Sequence, residues 1–167
     1  EIDELGRRTE YTYDLQGRVV SVTLPDPDGE GVLEAPVTRY EYDDAAGTVT
    51  VTDPLGAVTV ETYDAEDRLI GTLLPDPDGE GPLESPAASF SYDGDGNLTS
   101  AVDPMGRTTS YLYDALDRVT QVTEPDPDGE GPLAAPTTSC TYDAAGNVTS
   151  VTDPTGAVTH FEYDELH

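Results

Sequence analysis

The sequence has no lysine, no tryptophan and a single cysteine, Cys140, among its 167 residues. One cysteine cannot form a disulfide within the chain, and without lysine there can be no Lys–Asn isopeptide cross-link. Leu, Ile, Val and Phe together make up about one fifth of the residues, close to the level at which highly charged chains tend to stay disordered. We therefore do not expect a deep globular core, and stability has to come from another source.

Positive charge is also scarce, because seven Arg face 35 Asp and Glu and the net charge is −28. Such a surface repels phosphate, which excludes nucleic acid and anionic membranes as natural partners. No apolar run approaches the roughly 18 residues that span a bilayer, so we expect a soluble segment with no membrane insertion. An acid excess of this size suggests bound cations, a saline or extracellular setting, or simply solvated faces.

Internal repetition is the strongest pattern in the sequence. The heptapeptide PDPDGEG begins at Pro25, Pro75 and Pro125, so the period is 50 residues. Tyr-Asp pairs are spaced alternately by 29 and 21 residues, and the longer spacing holds PDPDGEG. Residues 1–167 therefore form one repeat array, in which each period contains two Tyr-Asp half-repeats. The pairs are Tyr13-Asp14, Tyr42-Asp43, Tyr63-Asp64, Tyr92-Asp93, Tyr113-Asp114, Tyr142-Asp143 and Tyr163-Asp164.

Each half-repeat has the pattern of a β-hairpin. Thr, Val and Tyr dominate the runs, and turn residues such as Gly, Asp and Pro separate them at fixed offsets. The pattern predicts an all-β fold without helices: an antiparallel β-hairpin strip or coiled β-solenoid with four strands per 50 residues. Apolar residues in the outgoing strands lie three positions apart, as at Val19 and Val22, which indicates a β-bulge or a strong twist.

The PDPDGEG insertion is the best candidate for chemistry. Carboxylates at alternate positions around a glycine can surround one hard cation, so the motif predicts Ca²⁺ as a cofactor, with one ion per loop. The alternative is a rigid acidic turn that needs no ion, although repulsion among three carboxylates in one short loop favours the ion. The three predicted sites are Asp26, Asp28 and Glu30; Asp76, Asp78 and Glu80; and Asp126, Asp128 and Glu130.

A structural interpretation accounts for the recurring Tyr-Asp pair. The Tyr ring covers a thin sheet while its hydroxyl stays in water, and the Asp accepts hydrogen bonds from amides of the following turn. Arg18, Arg68 and Arg118 follow alternate turns, where we expect each to pair with the preceding Asp or to lie over a Tyr ring. Stacking of carbohydrate on the Tyr rings is the functional alternative.

Two asparagines match the N-glycosylation pattern, Asn97 in Asn-Leu-Thr and Asn147 in Asn-Val-Thr. Both also stand at a turn position that favours Asn for its backbone conformation, so glycans and turn chemistry are both open. His160 and His167 have no counterparts in the other repeats, and no catalytic triad, phosphate loop or zinc-ligand spacing occurs. We expect no enzymatic activity.

The segment YDAAGNVTSVTDPTGAVTHFEYD, residues 142–164, resembles the YD-repeat or rearrangement-hot-spot (RHS) family of bacterial surface and toxin proteins and animal teneurins. The resemblance extends over nearly the whole chain. It implies long antiparallel β-strips that coil into shells around a toxin payload or form large extracellular structures, and it carries no catalytic residues. The regular PDPDGEG insertion and the near identity of successive periods depart from the usual pattern.

These observations favour a non-enzymatic structural repeat: the shaft of an extracellular bacterial fibre or large surface protein, stiffened by Ca²⁺. Near-identical periods suit a uniform filament because each meets the same neighbours, whereas the periods of a closed shell lie at different curvatures. The alternatives are a wall segment of a toxin-encapsulating RHS shell and a carbohydrate-binding adhesion module. Expected partners are neighbouring repeats, copies of the chain or glycans, at an extracellular or cell-surface location.

Overall fold

The computed structural model describes residues 1–4, 6–29, 31, 33–79, 83–129, 131 and 133–164. In these ranges the secondary structure consists of β-strands and turns, without a helix. The described residues thus contain no helix of the length and hydropathy needed to cross a membrane. The predicted all-β antiparallel fold is confirmed. The chain divides into two compact units, Glu1–Ala87 and Ala88–His167.

The first unit is an up-and-down meander in which each strand pairs antiparallel with the next along the chain. Runs of Thr, Val and Tyr form the strands, as expected for residues whose branched or aromatic side chains fit a pleated surface. The strands are β1 (Glu10–Tyr13), β2 (Val19–Thr23), β3 (Val37–Asp43), β4 (Thr48–Thr52), β5 (Val58–Tyr63) and β6 (Leu69–Leu73).

The second unit has the same organisation. Strands β2, β6 and β10 begin at residues 19, 69 and 119, so the predicted four strands per 50 residues are confirmed. The strands that follow β6 are β7 (Ala87–Tyr92), β8 (Leu98–Val102), β9 (Thr108–Tyr113), β10 (Val119–Thr123), β11 (Thr137–Tyr142), β12 (Val148–Thr152) and β13 (Val158–His160).

The connections between strands lie at the two ends of the strands, and these two rows of turns form the two edges of each unit that are named here. Turns that follow Tyr-Asp pairs, such as β1–β2 and β3–β4, share one edge, which we call the Tyr-Asp edge. The PDPDGEG loop between β2 and β3 and the Asp-Pro turn between β4 and β5 share the opposite edge, the loop edge. The two candidate sites, at the Tyr-Asp pairs and at the acidic loops, are therefore at opposite ends of the strands.

The predicted β-bulge is present in five hairpins. In the first, Tyr13 pairs with Val19 and Thr12 pairs with Ser21, so Val20 is an extra residue. Equivalent register shifts occur next to Tyr63, Tyr92, Tyr113 and Tyr142. Because of the extra residue, Val19 and Val22 lie on the same face of the sheet. Their cross-strand partners on that face are Tyr13 and Tyr11, respectively.

The β3–β4 hairpin has no bulge, yet it is as long as the β7–β8 hairpin one period later. Tyr42 pairs with Val49 in regular register, whereas in the hairpin one period later Tyr92 pairs with Leu98 and a bulge follows. The segment from Tyr to the next Asp-Pro has equal length in both hairpins. One residue has therefore moved from the strand into the turn, which keeps the downstream register unchanged.

Each unit is a single layer with two unlike faces. The aromatic face carries cross-strand pairs of Tyr or Phe with aliphatic residues, among them Tyr11–Val22, Tyr40–Val51, Phe90–Ala101 and Tyr111–Val122. Hydroxyl residues dominate the opposite face, where Ser100 pairs with Ser110. No described residue is buried, hydrophobic or polar, which confirms that the fold has no deep core.

A single period should not fold by itself. A hairpin pair in this sheet covers its side chains only against neighbouring strands, so a 50-residue fragment would meet the full ordering entropy with little compensation. We expect circular dichroism to show little structure for residues 1–50 and a cooperative melting transition for the complete chain. Equal melting temperatures for the two would mean that each period stabilises itself.

Candidate functional site

In the described turns, the Asp of a Tyr-Asp pair accepts hydrogen bonds from amides of the turn that follows it. Asp14 Oδ1 accepts hydrogen bonds from the amides of Gln16 and Arg18, both at 2.9 Å, and the Asp14 amide donates to the Arg18 carbonyl oxygen at 2.9 Å. We call this arrangement the Asp turn. It recurs at Asp53, Asp64, Asp93, Asp103, Asp114, Asp143 and Asp153.

Asp43 is the exception, as its longer turn would suggest. Its Oδ1 accepts from the amides of Ala45 and Ala46, two and three residues on, at 3.0 Å each. The predicted role of the Asp side chain as an acceptor for turn amides is therefore seen at both kinds of hairpin. One carboxylate oxygen supplies the partner that two turn amides would otherwise take from water.

Where the residue four positions after the Asp is Arg or Asn, its side chain donates to the second carboxylate oxygen; Ala57 and Ala157 follow Asp53 and Asp153 instead. Arg18 Nε donates to Asp14 Oδ2 at 2.8 Å, and Arg68 Nε donates to Asp64 Oδ2 at 2.7 Å. Asn147 takes the same place, with its Nδ2 donating to Asp143 Oδ2 at 2.9 Å. Arg and Asn thus both act as donors in the same geometry, and the predicted pairing of Arg with the preceding Asp is confirmed.

These bonds favour the charged form of the carboxylates. Hydrogen bonds from the Arg107 side chain lower the pKa of Asp103, and those from the Arg118 side chain lower the pKa of Asp114. The Asn147 side chain lowers the pKa of Asp143 in the same way, although it carries no charge. A carboxylate that accepts several N–H bonds is stabilised relative to its protonated form.

Arg18 and Tyr42 connect two successive hairpins at the Tyr-Asp edge. The Arg18 guanidinium lies 4.2 Å from the centre of the Tyr42 ring and also bonds Asp44. In return, the Tyr42 hydroxyl donates to the carbonyl oxygen of Val19, next to Arg18, at 2.9 Å. The expectation that the Tyr hydroxyl stays in water is therefore wrong here, because the neighbouring hairpin offers a carbonyl group within reach.

The second unit repeats this arrangement, which we call the Arg–Tyr bridge. Arg118 lies 4.4 Å from the Tyr142 ring centre, and its Nη1 donates to the Asp143 carbonyl oxygen at 3.1 Å. The Tyr142 hydroxyl donates to the Val119 carbonyl oxygen at 2.6 Å. The predicted stacking of Arg on Tyr is confirmed at both bridges.

Other Tyr-Asp pairs differ in how the ring is used. The Tyr113 hydroxyl donates to the Leu98 carbonyl oxygen at 2.9 Å, whereas the Tyr63 hydroxyl donates to Glu61 Oε2 at 2.7 Å. That bond to a carboxylate raises the pKa of Tyr63 to about 12. Tyr13 and Tyr163 are exposed, and the position of Asp164 beside Tyr163 repeats the sequence of the earlier pairs.

The acidic loops use their Asp side chains for internal hydrogen bonds. The Asp28 amide donates to Asp26 Oδ1 at 3.0 Å, and the Leu33 amide donates to Asp28 Oδ2 at 3.2 Å. A Cβ on Gly31 would lie only 1.9 Å from Asp28 Oδ2, so any larger residue at this position would displace the Asp28 side chain. The corresponding bonds at Asp76, Asp78, Asp126 and Asp128 have the same partners one and two periods on.

The remaining predicted calcium ligands, Glu30, Glu80 and Glu130, lie outside the described residues. In the described ranges, no three acidic, His or Cys side chains gather as a metal-ion cluster. The calcium site therefore stays a prediction.

Asn97 and Asn147 both stand at the fourth residue after the Asp of an Asp turn. Asn97 Nδ2, the atom that would carry a glycan, donates to Asp93 Oδ2 at 3.3 Å and to Asp117 Oδ1 at 2.7 Å. Asn147 Nδ2 bonds Asp143. Turn chemistry thus accounts for both residues, and a glycan on either would compete with these bonds, so glycosylation stays a prediction.

Repeated Tyr-Asp hairpins in single-layer antiparallel meanders are a structural repeat fold, and the comparisons agree. The sequence profile described as RHS Repeat matches residues 1–30, 92–129 and 142–167, more than half of the chain. The chain belongs to the RHS repeat family. No curated protein sequence matches it individually.

Two solved structures share this fold. The crystal structure of TcdB2-TccC3 without its hypervariable C-terminal region aligns with 87% of the chain at 20% identity and a TM-score of 0.66. That of TcdB2-TccC3-Cdc42 aligns with 87% at 20% identity and a TM-score of 0.65. The chain spans only 7% and 8% of the length of those chains.

Removing one Asp-turn carboxylate should destabilise the sheet. In Asp114→Ala the amides of Leu116 and Arg118 lose their acceptor, so we expect the melting temperature to fall by about 2–4 °C. Asp95→Ala is the matched control, because it removes the same charge from an exposed turn position whose side chain holds no such bonds. A melting temperature equally affected by both variants would contradict the Asp-turn account.

Stability should depend on pH in two opposite stages. Between neutral pH and about pH 5, partial protonation of ordinary carboxylates reduces the repulsion of a chain with net charge −28, so the melting temperature should rise slightly. The Asp-turn carboxylates have lowered pKa values, so their contribution is complete above the ordinary Asp value of about 3.9 and is lost as pH falls further. Thermal melts from pH 7 to pH 2 should therefore pass through a maximum; a monotonic rise would contradict this.

Proposed function

We propose that the chain is a non-catalytic wall segment of a large extracellular or cell-surface protein, in which the aromatic face is turned away from solvent. The observation that carries the proposal is the one-sided sheet. Each unit has one face of Tyr, Phe and aliphatic pairs and one face rich in hydroxyl groups, while no described residue is buried. A wall that encloses a space can cover one face and leave the other in water.

The family and the fold support a wall. The RHS-family resemblance implies β-strips that coil into shells, and the meander is similar in fold to the two TcdB2-TccC3 structures. A chain that spans less than a tenth of those proteins fits one section of such a wall.

A fibre shaft is the second candidate, favoured by the regularity of the periods. The Arg–Tyr bridge of the first unit recurs one hundred residues later with ring-centre distances of 4.2 and 4.4 Å. Such uniform geometry suits a filament, whose repeats all meet the same neighbours. A carbohydrate-binding module has less support, since Arg18 and Arg118 already cover one face of Tyr42 and Tyr142.

Electron microscopy of the native material distinguishes the two forms. The proposal expects closed, hollow particles in which the β-strip forms the wall. Uniform filaments would overturn the wall in favour of the shaft. Small compact particles without a cavity would contradict both forms, because the single-layer sheet would then have to be covered by a globular partner.

We further propose that Ca²⁺ stiffens the loop edge by binding one ion in each PDPDGEG loop. The affinity is expected in the weak extracellular range, about 10⁻⁴ to 10⁻³ M. An EF-hand loop ends in a bidentate Glu at its twelfth position, and the PDPDGEG loop has no Glu at the corresponding place. Binding should stabilise the folded chain according to RT ln(1 + [L]/Kd) per site.

The calcium proposal can be tested by thermal melts with millimolar Ca²⁺ and with chelator. We expect Ca²⁺ to raise the melting temperature and the combined variant Asp26→Asn, Asp76→Asn, Asp126→Asn to remove most of the rise. Asn keeps the Oδ1 acceptor for the amides of Asp28, Asp78 and Asp128, so the ion-free protein should be unaffected. If Ca²⁺ does not change the melting temperature, the calcium proposal is wrong and the loops are acidic turns that need no ion.

A further inference from the structure

The dipeptide Asp-Gly occurs five times in the chain. In this dipeptide the backbone nitrogen of the glycine can reach the side-chain carbon of the Asp with little steric hindrance, because glycine has no Cβ. The structure gives the five copies three different surroundings, which determine whether that approach is open. The copies are Asp28-Gly29, Asp78-Gly79 and Asp128-Gly129 in the PDPDGEG loops, and Asp93-Gly94 and Asp95-Gly96 in the β7–β8 turn.

In the first PDPDGEG loop, the exposed Asp28 side chain is directed forward along the chain. Its Oδ2 accepts from the Leu33 amide at 3.2 Å and lies against Gly31. Among the described residues, no group accepts a hydrogen bond from the Gly29 amide, so its nitrogen can turn toward Asp28 Cγ without breaking one. The other two loops have the same arrangement at Asp78, Gly79 and Leu83 and at Asp128, Gly129 and Leu133.

Asp93 carries the same dipeptide, but its carboxylate is held by the Asp turn. Oδ1 accepts from the amides of Asp95 and Asn97 at 3.0 and 2.9 Å, and Oδ2 accepts from Asn97 Nδ2 at 3.3 Å. These bonds, that from the Asn97 amide foremost, lower the pKa of Asp93. Attack by the next nitrogen expels a carboxyl oxygen as water and so requires the protonated acid, which the turn disfavours.

Asp95 and Asp26 are exposed like Asp28, yet each lacks an available nitrogen. The Gly96 amide donates to the Asp93 carbonyl oxygen at 3.2 Å, so attack on Asp95 would first have to break a hydrogen bond of the turn. Asp26 is followed by Pro27, whose nitrogen carries no hydrogen and cannot react in this way. Exposure alone therefore does not distinguish the loop Asp-Gly copies; the uncommitted glycine amide does.

We propose that Asp28, Asp78 and Asp128 are modification sites at which the folded chain converts aspartate to isoaspartate. The glycine nitrogen forms a bond to Cγ of the protonated Asp, the Cγ–OH bond breaks, and the hydroxyl leaves with the amide proton as water. Water then adds to the resulting succinimide and breaks the bond between the nitrogen and the original backbone carbonyl carbon. The net reaction is an isomerisation, which needs no oxidant, reductant or second substrate.

The loops can accept the extra backbone atom of isoaspartate because their ends are closed by the sheet. The Leu24 amide donates to the Pro36 carbonyl oxygen at 2.9 Å, just after β2 and before β3. The equivalent bonds join Leu74 to Pro86 and Glu124 to Pro136, both at 2.8 Å. Strand register is therefore set outside the modified segment, and the modified chain should keep its fold and its melting temperature.

The proposal can be tested by storing the complete chain for weeks at neutral pH with chelator, followed by trypsin digestion. Cleavage after Arg68 and Arg107 gives one peptide that holds Asp78, Asp93 and Asp95, and electron-transfer mass spectrometry distinguishes aspartate from isoaspartate at each.

We expect isoaspartate to form at residue 78 about fivefold faster than at residue 95, the factor for opening one turn hydrogen bond, and slowest at residue 93. In denaturing urea the three rates should become similar. Equal rates in the folded chain, or an order that persists in urea, would overturn the proposal.

A variant of the Asp turn gives an independent test. Asn97→Ala removes the side-chain donor to Asp93, and the turn should still form, because Ala57 stands at the same place after Asp53. Isoaspartate at residue 93 should then form faster, while the rate at residue 78 stays the same. Asn147→Ala is the matched control, since it alters an equivalent turn that has no Asp-Gly. An unchanged rate at residue 93, or an equal effect of the control, would overturn the protection by the turn on which the assignment rests.

Discussion

The structure depends on one interaction, the acceptance of turn amides by an aspartate carboxylate. A single-layer sheet with no buried side chain among the described residues gains little from hydrophobic burial, and its hairpins have to be held at their turns. Among the described residues, the Asp turn does this at eight places with the same pair of amides, two and four residues on. The strongly acidic composition is partly a consequence of these Asp turns, each of which needs a carboxylate.

A second level of organisation joins one hairpin to the next. In the Arg–Tyr bridges, the Arg that occupies an Asp-turn carboxylate also lies over the Tyr of the following hairpin, and that Tyr returns a hydrogen bond to the strand after the Arg. Each bridge therefore connects turns that are separated by more than 20 residues of sequence. Contacts of this kind replace the core that the composition does not supply.

Much of the fold was predictable because the same pattern of strand and turn residues recurs in every period. The 50-residue period predicted four strands per period, and the three-residue spacing of Val19 and Val22 predicted a bulge or a strong twist, of which the structure has the bulge. The role of the Tyr42 hydroxyl was not predictable, because it depends on the register that brings Val19 of another hairpin within reach. The bond from Asn97 to Asp117 was not predictable either, because it joins the turns of two different hairpins.

The most direct test of this account is a double-mutant cycle between Arg118 and Tyr142, measured by denaturant unfolding of the complete chain. If the bridge replaces a core, Arg118→Gln and Tyr142→Leu should be coupled by about 0.5–1.5 kcal/mol. The same cycle between Arg107 and Tyr142 is the control, because Arg107 bonds only Asp103 of its own turn among the described contacts. Additive effects at Arg118 and Tyr142, as at the control pair, would contradict the account.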